Sequence, residues 1–299
     1  MRGARPWLGL APWVACFALF GLFPLAHALV LSFLAYNPLR PDLVRWVGVE
    51  NYARALASPS FWHSLRTTAV FAAGTLPVTL SLAYWVAALL GRVRHAQGFF
   101  RAAIFFPATL SMVVIALVFK SIYAEEGLWN GWLVAMGLPT VHWLLDTRTA
   151  LPSIMLMDVW ASVGYYAILL LAARKTLPEE QLEAARLEGL SPWTVERRIV
   201  FPHVRPVLLF VVLLNTIRSF QIFIEVFVLT RGGPLESTLT LVYHLYERAF
   251  YHFEMGYASA LAFLLLLFVG AILLIQRAVL GREPSRAGDA ATAGAKDAA

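Results

Sequence analysis

Six long apolar blocks constrain the fold of this sequence more than any other feature. They lie at about residues 7–36, 67–90, 102–122, 150–173, 204–230 and 256–280. A helix needs roughly 20 residues to cross a hydrocarbon core of about 30 Å, so each block is long enough to span a membrane. Apolar residues make up 60% of the chain and charged residues only 14%, which is atypical of soluble domains. The sequence therefore predicts an all-α, polytopic membrane bundle of six transmembrane helices, with Pro77 and Pro107 kinking the second and third.

The first block also allows an interpretation as a cleaved signal peptide. Arg2 and Arg5 precede or begin it, and Ala26-His27-Ala28 has the small-x-small pattern of a cleavage site. The apolar stretch nevertheless continues to Leu34, about twice the usual length of a signal-peptide core. This length favours a retained membrane span.

Lysine and arginine are distributed unevenly between the blocks. With the N-terminus inside, the inner segments hold 15 basic residues and the outer segments hold 8, while Arg218 lies within a block. Because basic residues favour cytoplasmic loops, both termini are predicted to be cytoplasmic. The net charge of +6 then reflects membrane topology, and nucleic acid is not an expected partner. The polar segment 281–299 has no apolar face and is predicted to be a disordered tail.

The chain lacks the residue patterns of several kinds of chemistry. Its single cysteine, Cys16, lies within the first block, so a disulfide or a cysteine-based metal site cannot form within this chain. No Gly-x-x-x-x-Gly-Lys-Ser/Thr loop occurs, so the chain is not expected to hydrolyse ATP. The seven histidines are scattered, and no Ser/His/Asp set lies at membrane depth, which argues against an intramembrane enzyme. We expect no catalytic site, no metal site and no cofactor in this chain.

The longest inner connection, residues 174–203, has strong helix signals in its first half. Thr176 and Glu179 form a capping-box pattern, and Pro178 suits the first turn of a helix. Gly189 can adopt the left-handed conformation that ends a helix without a steric penalty. These residues predict a first loop helix that ends at Gly189.

The second half of the same loop predicts another helix. Ser191 is a suitable N-cap, Pro192 a suitable first residue, and Pro202 is expected to end the helix. The two helices together leave an apolar stripe that must pack on the membrane surface or on another protein. The stripe consists of Leu182, Ala185, Leu187, Trp193, Val195 and Ile199.

Six residues of this loop stand at a characteristic spacing: Glu183, Ala184, Ala185, Gly189, Ile199 and Pro202. The pattern resembles the EAA loop of ATP-binding-cassette importer permeases, with Phe201 in place of the usual leucine. The resemblance implies that the loop, here called the coupling loop, docks into a cleft of a separate ATPase subunit. We expect Glu183 to anchor this docking and Gly189 to fix the turn. An amphipathic connector resting on the membrane is the alternative.

Other segments resemble one branch of these importers, the sugar-type permeases similar to the maltose and glycerol-3-phosphate systems. The resemblance covers nearly the whole chain and includes residues 47–52, 59–62, 127–130, 143–146, 220–223, 230–234 and 237–238. The Thr-x-Gly-Gly-Pro stretch marks a subunit that pairs with a different, second permease. Arg66 and Ile224 depart from the usual Asn and Asp. The resemblance implies import of a sugar, an oligosaccharide or a related polyol such as glycerol-3-phosphate.

The same resemblance implies a multi-subunit assembly in the cell inner membrane. Its other members would be a second permease, two ATPase subunits that bind ATP and Mg²⁺, and an extracytoplasmic solute-binding protein. Most of the selectivity would belong to that binding protein.

A glycine- and proline-rich stretch follows the fifth block. Thr230, Gly232, Gly233 and Pro234 favour a break in the helix and a re-entrant backbone path. Such irregular backbone is tolerated in a membrane only where protein or a water-filled cavity surrounds it. We predict that these residues help to form an extracellular gate, and an ordinary tight turn is the alternative.

Charged residues within membrane spans are costly, so each is a candidate functional residue. The polar residues of the fourth and fifth blocks fall at helical spacing on one face of each block: Asp158, Ser162 and Tyr165, and then Asn215, Arg218, Gln221 and Glu225. Their side chains can hydrogen-bond the hydroxyl groups of a sugar, and an aromatic face can cover its ring. We predict that they line the solute pathway. A structural ion pair between Asp158 and Arg218 is an equal alternative.

An ion-coupled secondary transporter that works alone is the main rival class. Such proteins usually contain paired repeats and more spans, and no repeat is found in this sequence. A transporter of that kind would also have no use for the coupling loop. Genes for an ATPase and a second permease beside this one would distinguish the two classes.

Overall fold

The computed structural model describes residues 5–93 and 95–280, and these are mostly helical. The helices are α1 (Arg5–Phe17), α2 (Phe23–Ser32), α3 (Glu50–Ala57), α4 (Pro59–Arg92), α5 (Gln97–Thr109), α6 (Met112–Ile122), α7 (Leu128–Ala135), α8 (Ala150–Lys175), α9 (Glu179–Leu187), α10 (Pro192–Val195), α11 (Phe201–Phe220), α12 (Ile224–Leu229), α13 (Leu241–Phe250) and α14 (Met255–Leu280). The predicted tail at 281–299 lies outside the described residues, as do Arg2 and Arg94.

Short elements connect some of these helices. A π-helical turn, Ala18–Leu22, joins α1 to α2, and a second one, Glu196–Val200, joins α10 to α11. After α2 the chain forms β1 (Leu34–Ala35), a 3₁₀ turn (Pro41–Leu43) and β2 (Arg45–Trp46). The two strands pair in antiparallel fashion, with Leu34 opposite Trp46.

Five helical segments of the described chain are long and apolar enough to cross a membrane, and a bent helix pair would make a sixth. We number them as span 1 (Gly9–Ser32), span 2 (Pro59–Arg92), span 3 (the pair Gln97–Thr109 and Met112–Ile122), span 4 (Ala150–Lys175), span 5 (Pro192–Leu229) and span 6 (Met255–Val279). Each contains most of one apolar block. The helical membrane bundle predicted from the sequence is therefore confirmed.

Span 3 differs from the predicted single helix with a kink at Pro107. Helix α5 continues through Pro107 to Thr109, and the bend follows at Leu110 and Ser111. These two residues adopt extended backbone angles, and the axes of α5 and α6 differ by 93°. The span is thus broken rather than kinked, because the helix stops for two residues beyond the proline.

Span 4 occupies the centre of the bundle. Buried residues make up 61% of its most apolar stretch, compared with 0% for span 1. Ile154 and Met157 pack towards α6 and α12, whereas Leu170 packs towards α4 and α11. At Gly164 a Cβ atom would lie 2.0 Å from a backbone oxygen of α5, so glycine permits this close approach of α8 and α5. Both candidate sites described below include a residue of this central span.

Candidate functional site

The coupling loop contains helices α9 and α10, joined by a tight turn at Gly189. This residue has a φ angle of +71°, in the left-handed region. Its amide donates to the Arg186 carbonyl (3.0 Å), and the Leu190 amide donates to the Ala185 carbonyl (3.1 Å). These two bonds form the Schellman arrangement that closes a helix. The predicted role of Gly189 in ending the first loop helix is confirmed.

Two other predicted helix ends in the loop are wrong. Thr176 does not cap α9, because its hydroxyl donates to the Ala173 carbonyl at the end of α8 (2.8 Å) and Pro178 occupies the N-cap position. Pro202 does not end the second helix but lies in the first turn of α11. The preceding turn is π-helical, and this wider turn accommodates a proline that would interrupt a regular α-helix. The second loop helix is therefore continuous with span 5.

Part of the predicted apolar stripe packs on this chain itself. Leu182, Val195 and Ile199 contact a cluster formed by the adjoining ends of spans 4 and 5. Leu187 and Trp193 remain on the surface, 90% and 61% exposed. The apolar surface that remains for another protein or for the membrane is thus smaller than predicted. Among the six motif residues, Glu183, Ala184, Gly189 and Pro202 are exposed, Ile199 is half-buried and Ala185 is buried.

An ion pair that the sequence did not predict fastens this loop to the bundle. The Arg174 guanidinium donates to both carboxylate oxygens of Glu196, at 2.5 and 2.8 Å. The two side chains are 13% and 9% exposed. Tyr84 of span 2 donates its hydroxyl to the same carboxylate. These three residues, here called the loop cluster, connect spans 2 and 4 with the beginning of span 5.

The sequence contained one signal for the loop cluster. Glu196 lies three residues from both Trp193 and Ile199 and so shares a helix face with the apolar stripe. A carboxylate on such a face needs a buried partner. The signal does not identify that partner.

A second ionic cluster lies within spans 4 and 5. Arg218 Nη2 donates to Asp158 Oδ1 (2.7 Å) and lies 3.7 Å from Glu225 Oε1. The side chains of Asp158 and Glu225 are 3% and 8% exposed, whereas that of Arg218 is 34% exposed. These three residues, the mid-span cluster, contain one more carboxylate than guanidinium groups. The predicted ion pair between Asp158 and Arg218 is therefore present, and their role in solute binding stays a prediction.

Two cavities flank the guanidinium of the mid-span cluster. One has a volume of about 350 Å³ and the other of about 170 Å³. The predicted pathway residues that line one or both cavities are Ser162, Tyr165, Arg218, Gln221 and Glu225. Within the described part of the chain, Asp158 Oδ2 has no hydrogen-bond partner. Asp158 is nearly fully buried and lines neither cavity, so the group of this cluster that borders both cavities is the partly exposed Arg218 guanidinium, a hydrogen-bond donor.

Both cavities lie where a span is interrupted. The break of span 3 at Leu110 borders the smaller cavity, and the break of span 5 at residues 221–223 borders the larger one. Met112, the first residue of α6, lines both. Irregular backbone at membrane depth is stable only beside protein or a water-filled cavity. The two interruptions therefore border the two cavities beside the Arg218 guanidinium.

Not every predicted pathway residue belongs to these cavities. Asn215 is 1% exposed and lines neither of them. The Ser162 hydroxyl donates to the backbone carbonyl of Asp158 (2.7 Å) rather than to its carboxylate. The polar face predicted for span 5 is thus divided between the protein interior and the cavity surface.

The predicted gate residues form a compact turn after α12. The Gly233 amide donates to the Thr230 carbonyl (3.0 Å), and Gly232 has a φ angle of +81°. The Thr238 hydroxyl donates to the Gly233 carbonyl and lies 2.7 Å from the Thr230 hydroxyl. Pro234 follows directly in the same turn. This geometry is compatible with a gate and with an ordinary turn, so the gate stays a prediction.

Within residues 5–93 and 95–280, no group of three or more His, Cys, Asp or Glu side chains is placed to hold a metal ion. Asp158 and Glu225 face a guanidinium instead. The chemistry available at the mid-span cluster is hydrogen bonding and charge.

Comparison with known proteins identifies a matching family and related permeases. A family model described as binding-protein-dependent transport system inner membrane component matches residues 79–282. The lactose transport system permease protein LacF of Rhizobium radiobacter is 31% identical over 277 residues, which is 90% of this chain and 92% of that protein. The arabinooligosaccharides transport system permease protein AraP of Bacillus subtilis is 31% identical over 94% of this chain and 90% of its own length.

A solved structure shares the fold at low sequence identity. It is the crystal structure of a bacterial ABC transporter involved in the import of the acidic polysaccharide alginate. The TM-score is 0.82 at 18% identity, and the match covers 94% of this chain and 97% of that one.

Proposed function

The chain belongs to the family of binding-protein-dependent transport system inner membrane components, and from this membership we propose that it carries a carbohydrate or a related polyol across the membrane. It is the permease subunit of an ATP-binding-cassette importer. The observation that carries the proposal is the nearly full-length similarity to permeases named for lactose and arabinooligosaccharide transport. The family consists of transport permeases rather than enzymes.

The mid-span cluster contacts the solute. Sugars present many hydroxyl groups, which donate to carboxylates and accept from a guanidinium. Arg218 and Gln221 supply such groups beside the larger cavity, and Tyr165 adds an aromatic ring beside the smaller one. The Arg218 guanidinium, which is 34% exposed and borders both cavities, supports this assignment.

The coupling loop docks onto a separate ATPase subunit on the cytoplasmic side, where both termini also lie. Glu183 and Leu187 lie one turn apart on α9 and are exposed, and Trp193 on α10 is 61% exposed although its ring stacks on Trp85 of span 2. A leucine side chain that is 90% exposed on this loop favours a protein partner. The continuity of α10 with span 5 supports a rigid connection between that partner and the solute pathway.

The remaining members of the assembly follow from the same role. An extracytoplasmic solute-binding protein delivers the solute. A second permease completes the pathway beside the two cavities that Arg218 borders. Two ATPase subunits bind ATP and Mg²⁺ and supply the energy. Thr230, Gly232, Gly233 and Pro234 contribute to the extracellular gate.

Reconstitution tests this function directly. The chain is placed in vesicles with its second permease and its ATPase subunits, and uptake of labelled lactose and arabinooligosaccharide is measured with the solute-binding protein present. We expect uptake of a carbohydrate only with ATP and all subunits. ATP-independent uptake by the chain alone would overturn the proposal.

Docking of the loop is tested with a matched pair of charge reversals. Glu183→Lys changes an exposed glutamate on the coupling loop, and Glu126→Lys changes an exposed glutamate on a loop between spans 3 and 4, which this topology places outside. We expect the first variant to lose the ATPase during co-purification and the second to retain it. Retention of the ATPase by both variants would contradict the docking assignment.

A further inference from the structure

A cavity of about 430 Å³ lies between the coupling loop and the adjoining ends of spans 2 and 4. Arg92 contributes from the end of span 2, Arg174 and Lys175 from the end of span 4, and Arg186 from α9. The solute-pathway residues do not line this cavity. It is therefore separate from the mid-span cluster and from the exposed surface around Leu187.

The lining of this cavity is strongly basic. Four cationic side chains and one carboxylate, that of Glu196, border it. Arg174 is already paired with this carboxylate. Arg92, Lys175 and Arg186 are exposed, and none of them lies within ion-pair distance of a carboxylate in the described part of the chain. Three exposed positive charges therefore border the same space, and Glu196, the carboxylate in this lining, is already paired with Arg174.

Part of the lining is apolar. Leu171, Leu182 and Val195 line it together with small residues of span 2. An inorganic anion gains nothing from such a wall, because it has no apolar surface to bury. A molecule with a charged head and a hydrocarbon portion matches the basic and the apolar residues of this lining.

We propose that this cavity binds an anionic phospholipid of the cytoplasmic leaflet. Its phosphate contacts Arg92, Lys175 and Arg186, and the upper part of an acyl chain lies against Leu171 and Leu182. Basic pockets at the cytoplasmic ends of spans are known to bind anionic headgroups. The choice of the cytoplasmic leaflet rests on the proposed function and its topology. The charge and shape of the cavity are independent of that function.

Such a lipid connects three parts of the chain. The three basic side chains belong to span 2, to span 4 and to the coupling loop. A ligand that binds only this arrangement stabilises it relative to states in which the loop has moved away. The lipid thus holds the loop in place together with the loop cluster.

Native mass spectrometry of the purified importer tests the proposal. The variant Arg92→Gln/Arg186→Gln removes two cavity charges, and Arg197→Gln/Arg198→Gln removes two exposed charges of the same loop that do not line the cavity. Phosphatidylglycerol is titrated against a phosphatidylcholine background. We expect the cavity variant to lower the affinity of one retained phosphatidylglycerol by about 30-fold, and the control variant to leave it unchanged.

Three results would overturn the proposal. They are equal lipid loss in both double variants, no loss in either, and full displacement of the retained lipid by inorganic phosphate, which would identify a free anion as the ligand. The single variant Arg186→Gln repeats the measurement with less disturbance if the double variant assembles poorly. Because this experiment counts bound lipid and the reconstitution assay measures uptake, failure of the lipid proposal and failure of the proposed function are seen separately.

Discussion

The loop cluster and the mid-span cluster are both ionic groups centred on an arginine, but they differ in charge balance and in the exposure of that arginine. In the loop cluster, Arg174 and Glu196 form a one-to-one pair with two hydrogen bonds, and both side chains are largely buried. In the mid-span cluster, Arg218 faces two carboxylates, those of Asp158 and Glu225. Its side chain is 34% exposed beside two cavities.

The difference indicates different roles. In a largely buried one-to-one pair each charge is already matched, so we expect its main effect to be on the position of the parts that it joins. A partly exposed guanidinium beside two cavities can donate hydrogen bonds to a passing solute. Substitutions in the first cluster should therefore affect assembly and stability, and those in the second should affect transport kinetics.

The largest effect is expected for Glu196→Gln. This change leaves the buried Arg174 guanidinium without a counter-charge, and loss of one partner of a buried ion pair costs about 3–5 kcal/mol. Thermal unfolding of the purified chain in detergent should show a large decrease in melting temperature. The double substitution Arg174→Met/Glu196→Leu serves as control, because replacing both charges by apolar groups is often nearly neutral. Equal destabilisation by the single and double variants would show that the pair has no special role.

Arg218→Lys tests the mid-span cluster. Lysine keeps the charge but lacks the forked donors of arginine, so one charge-assisted hydrogen bond is lost, equivalent to about 1.5–3 kcal/mol. We expect normal assembly and an increase in the transport KM of roughly tenfold or more. The measurement is solute uptake by the reconstituted importer. Poor assembly with an unchanged KM would instead assign this cluster to structure and remove the distinction between the two clusters.

A pair of tyrosine substitutions compares the clusters at smaller cost. Tyr84→Phe removes a hydroxyl that donates to Glu196 and should lower the free energy of unfolding by about 1 kcal/mol without changing the KM. Tyr165 is 43% exposed beside the smaller cavity. Tyr165→Phe should leave the unfolding free energy unchanged and alter only uptake kinetics. The reverse outcome would exchange the proposed roles.

The smallest effect is expected for Ser162→Ala. The Ser162 hydroxyl donates to a backbone carbonyl of its own helix, a bond that contributes little to helix stability. The change in unfolding free energy should stay within about 0.5 kcal/mol. Differential scanning calorimetry of this variant and of Glu196→Gln provides the comparison. A larger loss would mean that this serine supports the Asp158 carboxylate indirectly.

The sequence predicted those features that depend on local chain properties. The length of the apolar blocks fixes the number of candidate spans, because hydrocarbon thickness sets the helix length. Gly189 ends a helix because the left-handed conformation suits glycine. Asp158 and Arg218 stood out because charges inside spans are costly, and the structure pairs them.

Local patterns failed where a distant contact or a neighbouring turn changed the outcome. The Thr176 hydroxyl had two possible backbone partners, and the one at the end of α8 is used. Pro202 remains within a helix because the turn before it is π-helical. Residue preferences alone predict neither the hydrogen bond that Thr176 makes nor the position of Pro202 within a helix.

The sequence by itself thus determined a six-span membrane bundle, the coupling loop and the residues that are costly to bury in a membrane. Only the tertiary structure decided which charges are paired and largely buried and which are partly exposed beside a cavity. Tyr84 and Glu196 are separated by 112 positions, and the breaks of spans 3 and 5 meet at Met112. Such contacts depend on how whole helices pack, which hydrophobicity and helix signals along one segment do not encode.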